Sequence, residues 1–195
     1  DRGNREDLIT ALANANQWAD AVAQQLSLIG QFPTDPELSF KLAEFHKKSG
    51  QEDEARRVFR DYLAKAQHTE AAYLRVARTF IAFEWAEDTK QLFEECLQRF
   101  DSSALTRDTY ANWLYQHDQK PLAIELWKKS ADVADKAALL QIARVLGQHG
   151  EHEVAFEILH RRFDSLRQDP MYLSSLIDLS IKRRQYSETI PWLLQ

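Results

Sequence analysis

Glycine and proline are scarce in this sequence, with five of each among 195 residues. All-β folds and α/β barrels use more turn residues than that, so the composition favours helices. Hydrophobic residues make up 44% of the chain and charged residues 28%, which is ordinary for a globular protein. The length is enough for one large domain or two small ones, each with a buried core.

Cysteine and long apolar runs are also lacking. The single cysteine, Cys96, excludes an internal disulfide framework and a zinc site built on cysteines. No apolar run is long enough to span a bilayer, and no charged-then-apolar leader opens the chain, so we expect no direct membrane insertion. The chain starts without methionine and ends within an apolar pattern, which suggests a segment of a longer protein.

A period of 34 residues runs through the chain. Small residues recur at two registers of this period, with the last member of each register two positions early: Ala43, Ala77, Ala111 and Ala143, then Ala55, Thr89, Ala123 and Ala155. Four positions after the second register come large residues: Phe59, Phe93, Trp127 and Leu159. Small residues allow close approach of two helices, and the large ones fill the space beside that contact. Fainter copies of the pattern precede and follow these four.

Helix start and stop signals divide each unit in two. Asp35-Pro36 and Asp169-Pro170 predict helix starts, because Asp accepts hydrogen bonds from orphan N–H groups and Pro lacks one. Gly50 predicts a left-handed residue that ends a first helix. The acidic run 52–54 then suits the N-terminus of a second helix. Each unit is therefore a helical hairpin, and hairpins that cannot bury both faces alone are expected to stack.

These features resemble the tetratricopeptide repeat (TPR) family over essentially the whole chain. The resemblance implies an all-α, right-handed α-α superhelix, a solenoid of about five to six hairpins in a single domain, 1–195. The approximate repeats are 2–35, 36–69, 70–103, 104–135, 136–169 and a truncated 170–195. The chain departs from the family pattern at several places. Alanine replaces a glycine of the first helix, Gln25 stands where an aromatic is expected, and Pro191 interrupts the last second helix.

No motif points to catalysis, a cofactor or a metal. His149 and His152 straddle the turn at Gly150 instead of sharing a helix face, and we expect both to be solvated. His46 and Cys96 fall at positions that predict packing in the core. Neither a glycine-rich phosphate loop nor a GxSxG motif occurs. We therefore expect no enzyme activity.

Nucleic acid is an unfavourable partner for this chain. The formal net charge is −5, whereas sequence-independent binding depends on Lys and Arg that displace counterions from phosphates. A pentatricopeptide-like RNA-binding protein also stacks helical hairpins, but its period is one residue longer. The basic clusters 161–162 and 182–184 lie near predicted helix ends, where cations are locally favoured.

The resemblance implies that the first helices line a concave groove. Spacing then assigns the residues not used for packing to one stripe on each first helix, for example Leu140, Gln141, Arg144 and Gln148. The residues predicted to bind a partner are Lys41, Lys48, Arg75, Arg78, Phe83, Asn112, Tyr115 and Arg144. The arginines would pair with carboxylates, Asn112 would bond backbone, and the aromatics would offer apolar contact. Solvated helix faces are the alternative interpretation.

The predicted function is a non-catalytic interaction scaffold that binds an extended or helical segment of another protein, with acidic character. Asp108, not Lys, precedes Asn112 by one helical turn, which argues against the lysine–asparagine clamp that some TPR proteins use for a C-terminal carboxylate. The alternative is a structural spacer in a larger export or assembly protein, such as a periplasmic TPR array of an exopolysaccharide export system. The sequence allows a cytoplasmic or a periplasmic location.

Overall fold

The chain is all α-helical in the computed structural model, which describes residues 1–101 and 103–185. The described helices are α1 (Arg2–Asn14), α2 (Trp18–Gln31), α3 (Pro36–Lys48), α4 (Glu52–Lys65), α5 (Glu70–Ala82), α6 (Ala86–Arg99), α7 (Ala104–Gln116), α8 (Lys120–Val133), α9 (Lys136–Gln148), α10 (His152–His160), α11 (Phe163–Leu166) and α12 (Pro170–Arg183). We call α1, α3, α5, α7, α9 and α12 the first helices.

The helices form two compact units, Asp1–Glu94 and Glu95–Gln195, which we call the first and second unit. In the first unit α1 packs on α2, α2 on α3, and α3 on α4. In the second unit α7 packs on α8, α9 on α10, and α10 on α12. The helix pairs fall within the predicted repeats, although the single-domain interpretation and the repeat limits stay predictions. The last ten residues of repeat 170–195, including Pro191, lie outside the described residues.

The small residues of the repeat are buried, as the sequence predicts. Ala43 and Ala111 of the first register have no exposed surface, nor do Ala55, Thr89 and Ala123 of the second. The large residues that follow the second register are likewise buried, at 1% exposure or less. Close approach of paired helices therefore rests on these positions, because a larger side chain there would separate the helices.

Gln25 occupies one of the large-residue positions in the first unit and is 1% exposed. Burial of an amide is costly unless it is hydrogen-bonded. Its Nε2 donates to the backbone oxygen of Leu38 at 2.7 Å, so the side chain links α2 to α3. The departure from the aromatic pattern is thus accommodated by a hydrogen bond between neighbouring hairpins.

A residue with left-handed backbone conformation follows each of the six first helices. Gly50 has φ of 78° and confirms the predicted turn, and Gly150 has φ of 82°. The equivalent positions in the other hairpins carry residues with a side chain: Asn16, Glu84, Asp118 and Arg184, with φ between 56° and 60°. The backbone conformation is therefore set by the repeat, since four residue types without glycine's freedom adopt it.

Both predicted Asp-Pro starts are N-caps. Asp35 accepts a hydrogen bond from the backbone N of Glu37 at 3.0 Å, and Asp169 accepts one from that of Tyr172 at 3.0 Å. Each carboxylate also binds a cation at the start of the preceding first helix. Arg2 pairs with Asp35 at 2.7 Å, and Lys136 pairs with Asp169 at 2.5 Å. The same N-cap therefore starts one hairpin and ties it to its neighbour.

The fifth hairpin differs from the others in its second helix. The helix α10 has nine residues, whereas α2, α4, α6 and α8 have fourteen. It ends at His160, where the backbone N of Arg162 bonds the oxygen of Leu159 in a tighter turn. Arg162 then donates from Nη2 to the backbone oxygens of Asp132 and Ala134. The guanidinium thereby holds this turn against the end of α8.

Candidate functional site

A cleft of about 830 Å³ lies between the first helices α9 and α12 of the second unit. Its walls are formed by pairs of residues that are 34 positions apart: Ala137 and Met171, Gln141 and Ser175, Arg144 and Asp178, Gln148 and Lys182. Leu140, Ala143, Gly147 and Leu179 complete an apolar lining. The repeat thus places equivalent positions of two helices on facing sides of one cleft.

Three charged side chains of this cleft have no ion-pair partner among the described residues. Arg144, Asp178 and Lys182 are exposed, and no carboxylate or cation of the described chain lies within 4 Å of them. Lys136 differs, because it pairs with Asp169. The unpaired set holds two cations and one anion, so the cleft is locally basic in an acidic chain.

The cleft brings together all four residues that spacing assigned to the stripe on α9, namely Leu140, Gln141, Arg144 and Gln148. Of the residues that α12 contributes, only Lys182 was noted from the sequence, as part of the basic cluster 182–184, and none was predicted to bind a partner. Their signal was available, because each lies one period of 34 after a residue of the α9 wall. Applying the period to Arg144 and Gln148 finds Asp178 and Lys182 directly.

A smaller cleft of about 180 Å³ lies between α1 and α3 in the first unit. Lys41 lines it, and so do Thr10 and Glu44, which are again 34 positions apart. Glu44 pairs with Lys48 at 2.7 Å, and the Lys48 ammonium lies 5.7 Å from the centre of the Trp18 ring. Of the two predicted lysines, Lys41 therefore faces a cleft, while Lys48 is engaged within the chain.

Arg75 and Arg78 of α5 have different environments. Arg75 is half-buried, donates to Glu37, and lies 4.2 Å from the centre of the Phe40 ring. Its guanidinium therefore already has the carboxylate that the sequence prediction assigned to a partner. Arg78 is exposed and has no ion pair with a described residue. It is the arginine of this helix that remains available.

Phe83 is the C-cap of α5 and is half-buried against other aromatic rings. Its ring centre lies 6.1 Å from that of Phe59 and 5.1 Å from that of Trp85. The Lys47 ammonium lies 4.5 Å from the Phe83 ring centre and donates to its backbone oxygen at 2.5 Å. Phe83 thus closes an aromatic cluster and presents only part of its ring to solvent.

Asn112 and Tyr115 belong to a hydrogen-bonded network. The Nδ2 of Asn112 donates to the backbone oxygen of Asp108 at 2.9 Å, and Oδ1 faces His149 Nε2 at 3.3 Å. The Tyr115 hydroxyl lies 2.8 Å from Glu151 Oε1 and 3.1 Å from the His149 backbone oxygen. The expectation that His149 is solvated is wrong, because its ring packs 4.1 Å from that of Tyr115.

Burial and the nearby carboxylate act in the same direction on Tyr115. Desolvation, the hydrogen bond to Glu151 and the negative charge of Glu151 all raise the pKa of its hydroxyl. The hydroxyl therefore stays a donor at neutral pH. Since this donor is used within the chain, Tyr115 can offer a partner only the exposed part of its ring.

In two of the first helices, α3 and α7, the side chain two residues before the C-cap bonds the C-cap of the next first helix. Lys47 donates to the oxygen of Phe83, the C-cap of α5, and Tyr115 donates to the oxygen of His149, the C-cap of α9. These bonds satisfy carbonyls that a helix end leaves without an intrahelical partner. The equivalent residue of α9 is Gly147, which has no side chain to do so.

The chain is similar to several solved structures at low sequence identity. The sequence matches no protein-family model and no curated protein sequence. A tetratricopeptide repeat protein from Parabacteroides merdae is 12% identical, with a TM-score of 0.45, over 99% of this chain and 77% of that one. The C-terminal part of a TPR repeat-containing protein from Cytophaga hutchinsonii is 14% identical, with a TM-score of 0.46, over 94% and 82%. The TPR domain of P58(IPK) is 17% identical, with a TM-score of 0.34, over 98% and 74%.

The repeat itself decides the fold. From α1 to α9, helices of 13 and 14 residues alternate, buried small residues recur at a 34-residue period, and a left-handed residue ends each first helix. The chain has a TPR-like fold. In this TPR-like chain, none of the described helices is both long and apolar enough to cross a membrane. Its described residues also contain no group of three or more His, Cys, Asp or Glu that could hold a metal ion.

Proposed function

We propose that this TPR-like chain is a non-catalytic scaffold that binds a segment of another protein on its first-helix face. The binding site would be the cleft between α9 and α12. One observation carries the proposal: Arg144, Asp178 and Lys182 line this cleft without ion-pair partners among the described residues. On other first helices, Lys48 and Arg75 are paired within the chain, whereas Lys41 and Arg78 stand singly and not as a set that lines one cleft.

The size and lining of the cleft support this proposal. Its volume of about 830 Å³ lies within the range of small-ligand and peptide pockets. The apolar floor can bury side chains of a partner, which supplies most of the binding free energy, whereas charges at the rim favour one partner over another. An open cleft between two helices suits a chain segment better than it suits chemistry, which needs groups gathered in an enclosed pocket.

A structural spacer is the second candidate, and a specific observation favours it. Arg75, Asn112 and Tyr115 were predicted to bind a partner, yet each is hydrogen-bonded within the chain. A spacer needs such internal bonds and no free groups. A spacer function does not explain the unpaired charges in the cleft between α9 and α12.

Selection from a displayed library of random 16-residue peptides distinguishes these functions. The wild-type chain is compared with the variant Arg144→Glu/Lys182→Glu, which changes the charge inside the cleft. The control variant Lys129→Glu/Arg167→Glu has the same change in charge at exposed positions that do not line it. We expect peptides that bind the wild type and the control, with at least tenfold weaker binding to the cleft variant. Peptides that bind all three equally, or no enriched peptide at all, would favour the spacer.

A further inference from the structure

The cleft between α9 and α12 is open at a register where two other pairs of first helices are bridged. Lys47 and Tyr115 each fill the space between neighbouring first helices and bond the C-cap of the next one. The helix α9 has Gly147 at this register, and Gly147 lines the cleft. The side chain that bridges two other pairs of hairpins is therefore missing at this one.

Steric crowding does not account for the glycine. A Cβ at Gly147 would lie 3.8 Å from Leu179 Cδ2 and 3.9 Å from His152 Nδ1, which are ordinary contact distances. Its φ is not left-handed either, so an alanine fits and is the better helix former. What the glycine does provide is a recess in the wall, bounded by the methyl group of Leu179 and the ring of His152.

The two unpaired cations lie close to this recess, one on each helix. Arg144 precedes Gly147 by about one turn on α9. Lys182 lies on α12, one helical turn or about 6 Å beyond Asp178, the residue that faces Arg144. The two cations lie on opposite walls of the cleft and are offset by this distance along it. A peptide that lies in the cleft can therefore present one carboxylate to each wall.

We propose that the cleft recognises a peptide segment in which two carboxylates flank an apolar side chain. The carboxylates pair with Arg144 and Lys182, and the apolar side chain lies in the recess at Gly147, against Leu179. This rests on the proposed function, and it names the chemistry of the partner. Desolvated carboxylate–cation pairs give specificity and apolar burial gives affinity.

A basic or purely apolar segment fits this cleft less well. A basic segment would meet Asp178 alone and would face both Arg144 and Lys182 with like charge. A purely apolar segment would leave the two cations partly desolvated without a partner, which costs free energy. Met171, which is 70% exposed at the opposite end of the cleft, extends the apolar lining for residues that precede the acidic pair.

The peptides enriched on the wild-type chain test this chemistry. We expect two Asp or Glu residues within four positions of each other, with a Leu, Ile, Met or Phe between them or beside them. For one such peptide, labelled with fluorescein, replacing both acids by their amides should raise the Kd on the wild-type chain at least tenfold. The same replacement should have less than a threefold effect on Arg144→Gln/Lys182→Gln.

The recess is tested with two substitutions at one position. Gly147→Leu fills it without a change in charge, and we expect at least a tenfold rise in the Kd of the labelled peptide. Gly147→Ala leaves most of the space and should change the Kd less than threefold. Circular dichroism establishes that each variant is folded. If Gly147→Leu does not fold, the amide peptides on the wild-type chain still decide the proposal.

The outcomes separate this inference from the proposed function. Enriched peptides that depend on Arg144 and Lys182, but lack the acidic pair or bind Gly147→Leu as well as the wild type, would overturn the inference and leave the function standing. No enriched peptide on the wild-type chain would overturn both.

Discussion

At the scale of single residues, the turns after the first helices require a left-handed backbone conformation. Of the six residues at these turns, only two are glycine. A residue with a Cβ is strained at positive φ by about 1–2 kcal/mol, which the fold must offset elsewhere. The turns at Asn16, Glu84, Asp118 and Arg184 accept this strain, so the packing of the hairpins determines the turn more than the residue type does.

Replacement of glycine by alanine should therefore have opposite effects on stability at Gly50 and Gly30. Gly50 has φ of 78°, so Gly50→Ala should lower the free energy of unfolding by about 1 kcal/mol. Gly30 lies within α2 with no heavy atom near its missing Cβ, so Gly30→Ala should raise it by about 0.5–1 kcal/mol. Urea unfolding followed by circular dichroism measures both. A loss of stability at both positions would contradict this account.

Tyr172 should make stability depend on alkaline pH. It is fully buried, its hydroxyl donates to the Leu159 backbone oxygen, and burial raises its pKa to about 12. The unfolded tyrosine ionises near pH 10, so the folded state holds a proton that the unfolded state loses. Its contribution is complete below about pH 10 and is lost as pH rises towards 12, by about 2–3 kcal/mol.

The control for this prediction is Tyr172→Phe, which has no proton to lose. The variant should be about 1 kcal/mol less stable at pH 7, because one hydrogen bond is removed. Its stability should then fall less than that of the wild type between pH 10 and 12. Parallel pH profiles for the two proteins would mean that Tyr172 ionises as readily in the fold as in water.

Individual site residues were predictable to different degrees. Spacing identified the face of each first helix, which is why Arg144 and its α9 neighbours do line a cleft. Spacing cannot tell whether a side chain is used within the chain. Arg75 binds Glu37, which is 38 residues away, and this pairing depends on the stacking of two hairpins. His149 was misjudged for the same reason, since the rings around it come from α7 and α8.

At the scale of elements, helix starts also act as links between hairpins. Asp35 and Asp169 each cap a first helix and pair with a cation at the start of the preceding one, 33 residues earlier. The Asp-Pro pairs predicted the helix starts, because capping depends on neighbouring residues. The pairing with Arg2 and Lys136 was not predictable in that way, because it needs two hairpins in register.

The ion pair between Asp35 and Arg2 should weaken in acid. The hydrogen bond from Arg2 is the largest cause that lowers the pKa of Asp35, and the Glu37 N–H acts in the same direction. A carboxyl with a lowered pKa stabilises the fold above its unfolded pKa, and this contribution is lost as pH falls through the folded pKa. Asp35→Asn retains a capping oxygen but has no charge.

We therefore expect Asp35→Asn to be slightly less stable than the wild type at pH 7 and closer to it at pH 2. Thermal unfolding at both pH values measures the difference. Arg2→Gln should behave in the same way, because it removes the other partner of the pair. A difference between wild type and Asp35→Asn that grows in acid would contradict the assigned role.

The period made the helical hairpins predictable, since the recurrence of small and large residues at fixed steps can be read from the sequence alone. The early end of α10 at His160 was not predicted. It depends on the Arg162 guanidinium and two backbone oxygens at the end of α8, which only the folded chain brings together. Periodicity therefore gave the elements, and contacts between elements set their irregular ends.

At the scale of the whole chain, the net charge differs in sign from the unpaired charge at the cleft. The formal net charge is −5, which disfavours an acidic partner at long range. Many acids and bases are paired along or between helices, as Arg56 is with Glu52 and Asp88. Such pairs cancel locally. The unpaired charges of the cleft do not, because the cations Arg144 and Lys182 outnumber the anion Asp178, so these groups carry a net charge opposite in sign to that of the chain.

Salt should reveal which of these two charges controls binding of the acidic peptide. At about 0.1 M salt, charges further apart than about 10 Å are largely screened, so contacts within the cleft dominate. If they control binding, raising the salt concentration from about 50 to 300 mM should raise the Kd on the wild-type chain several-fold. The Kd on Arg144→Gln/Lys182→Gln should be higher and nearly independent of salt. Tighter binding at high salt would mean that repulsion by the acidic chain outweighs the two cations, and the cleft would then not be a site for carboxylates.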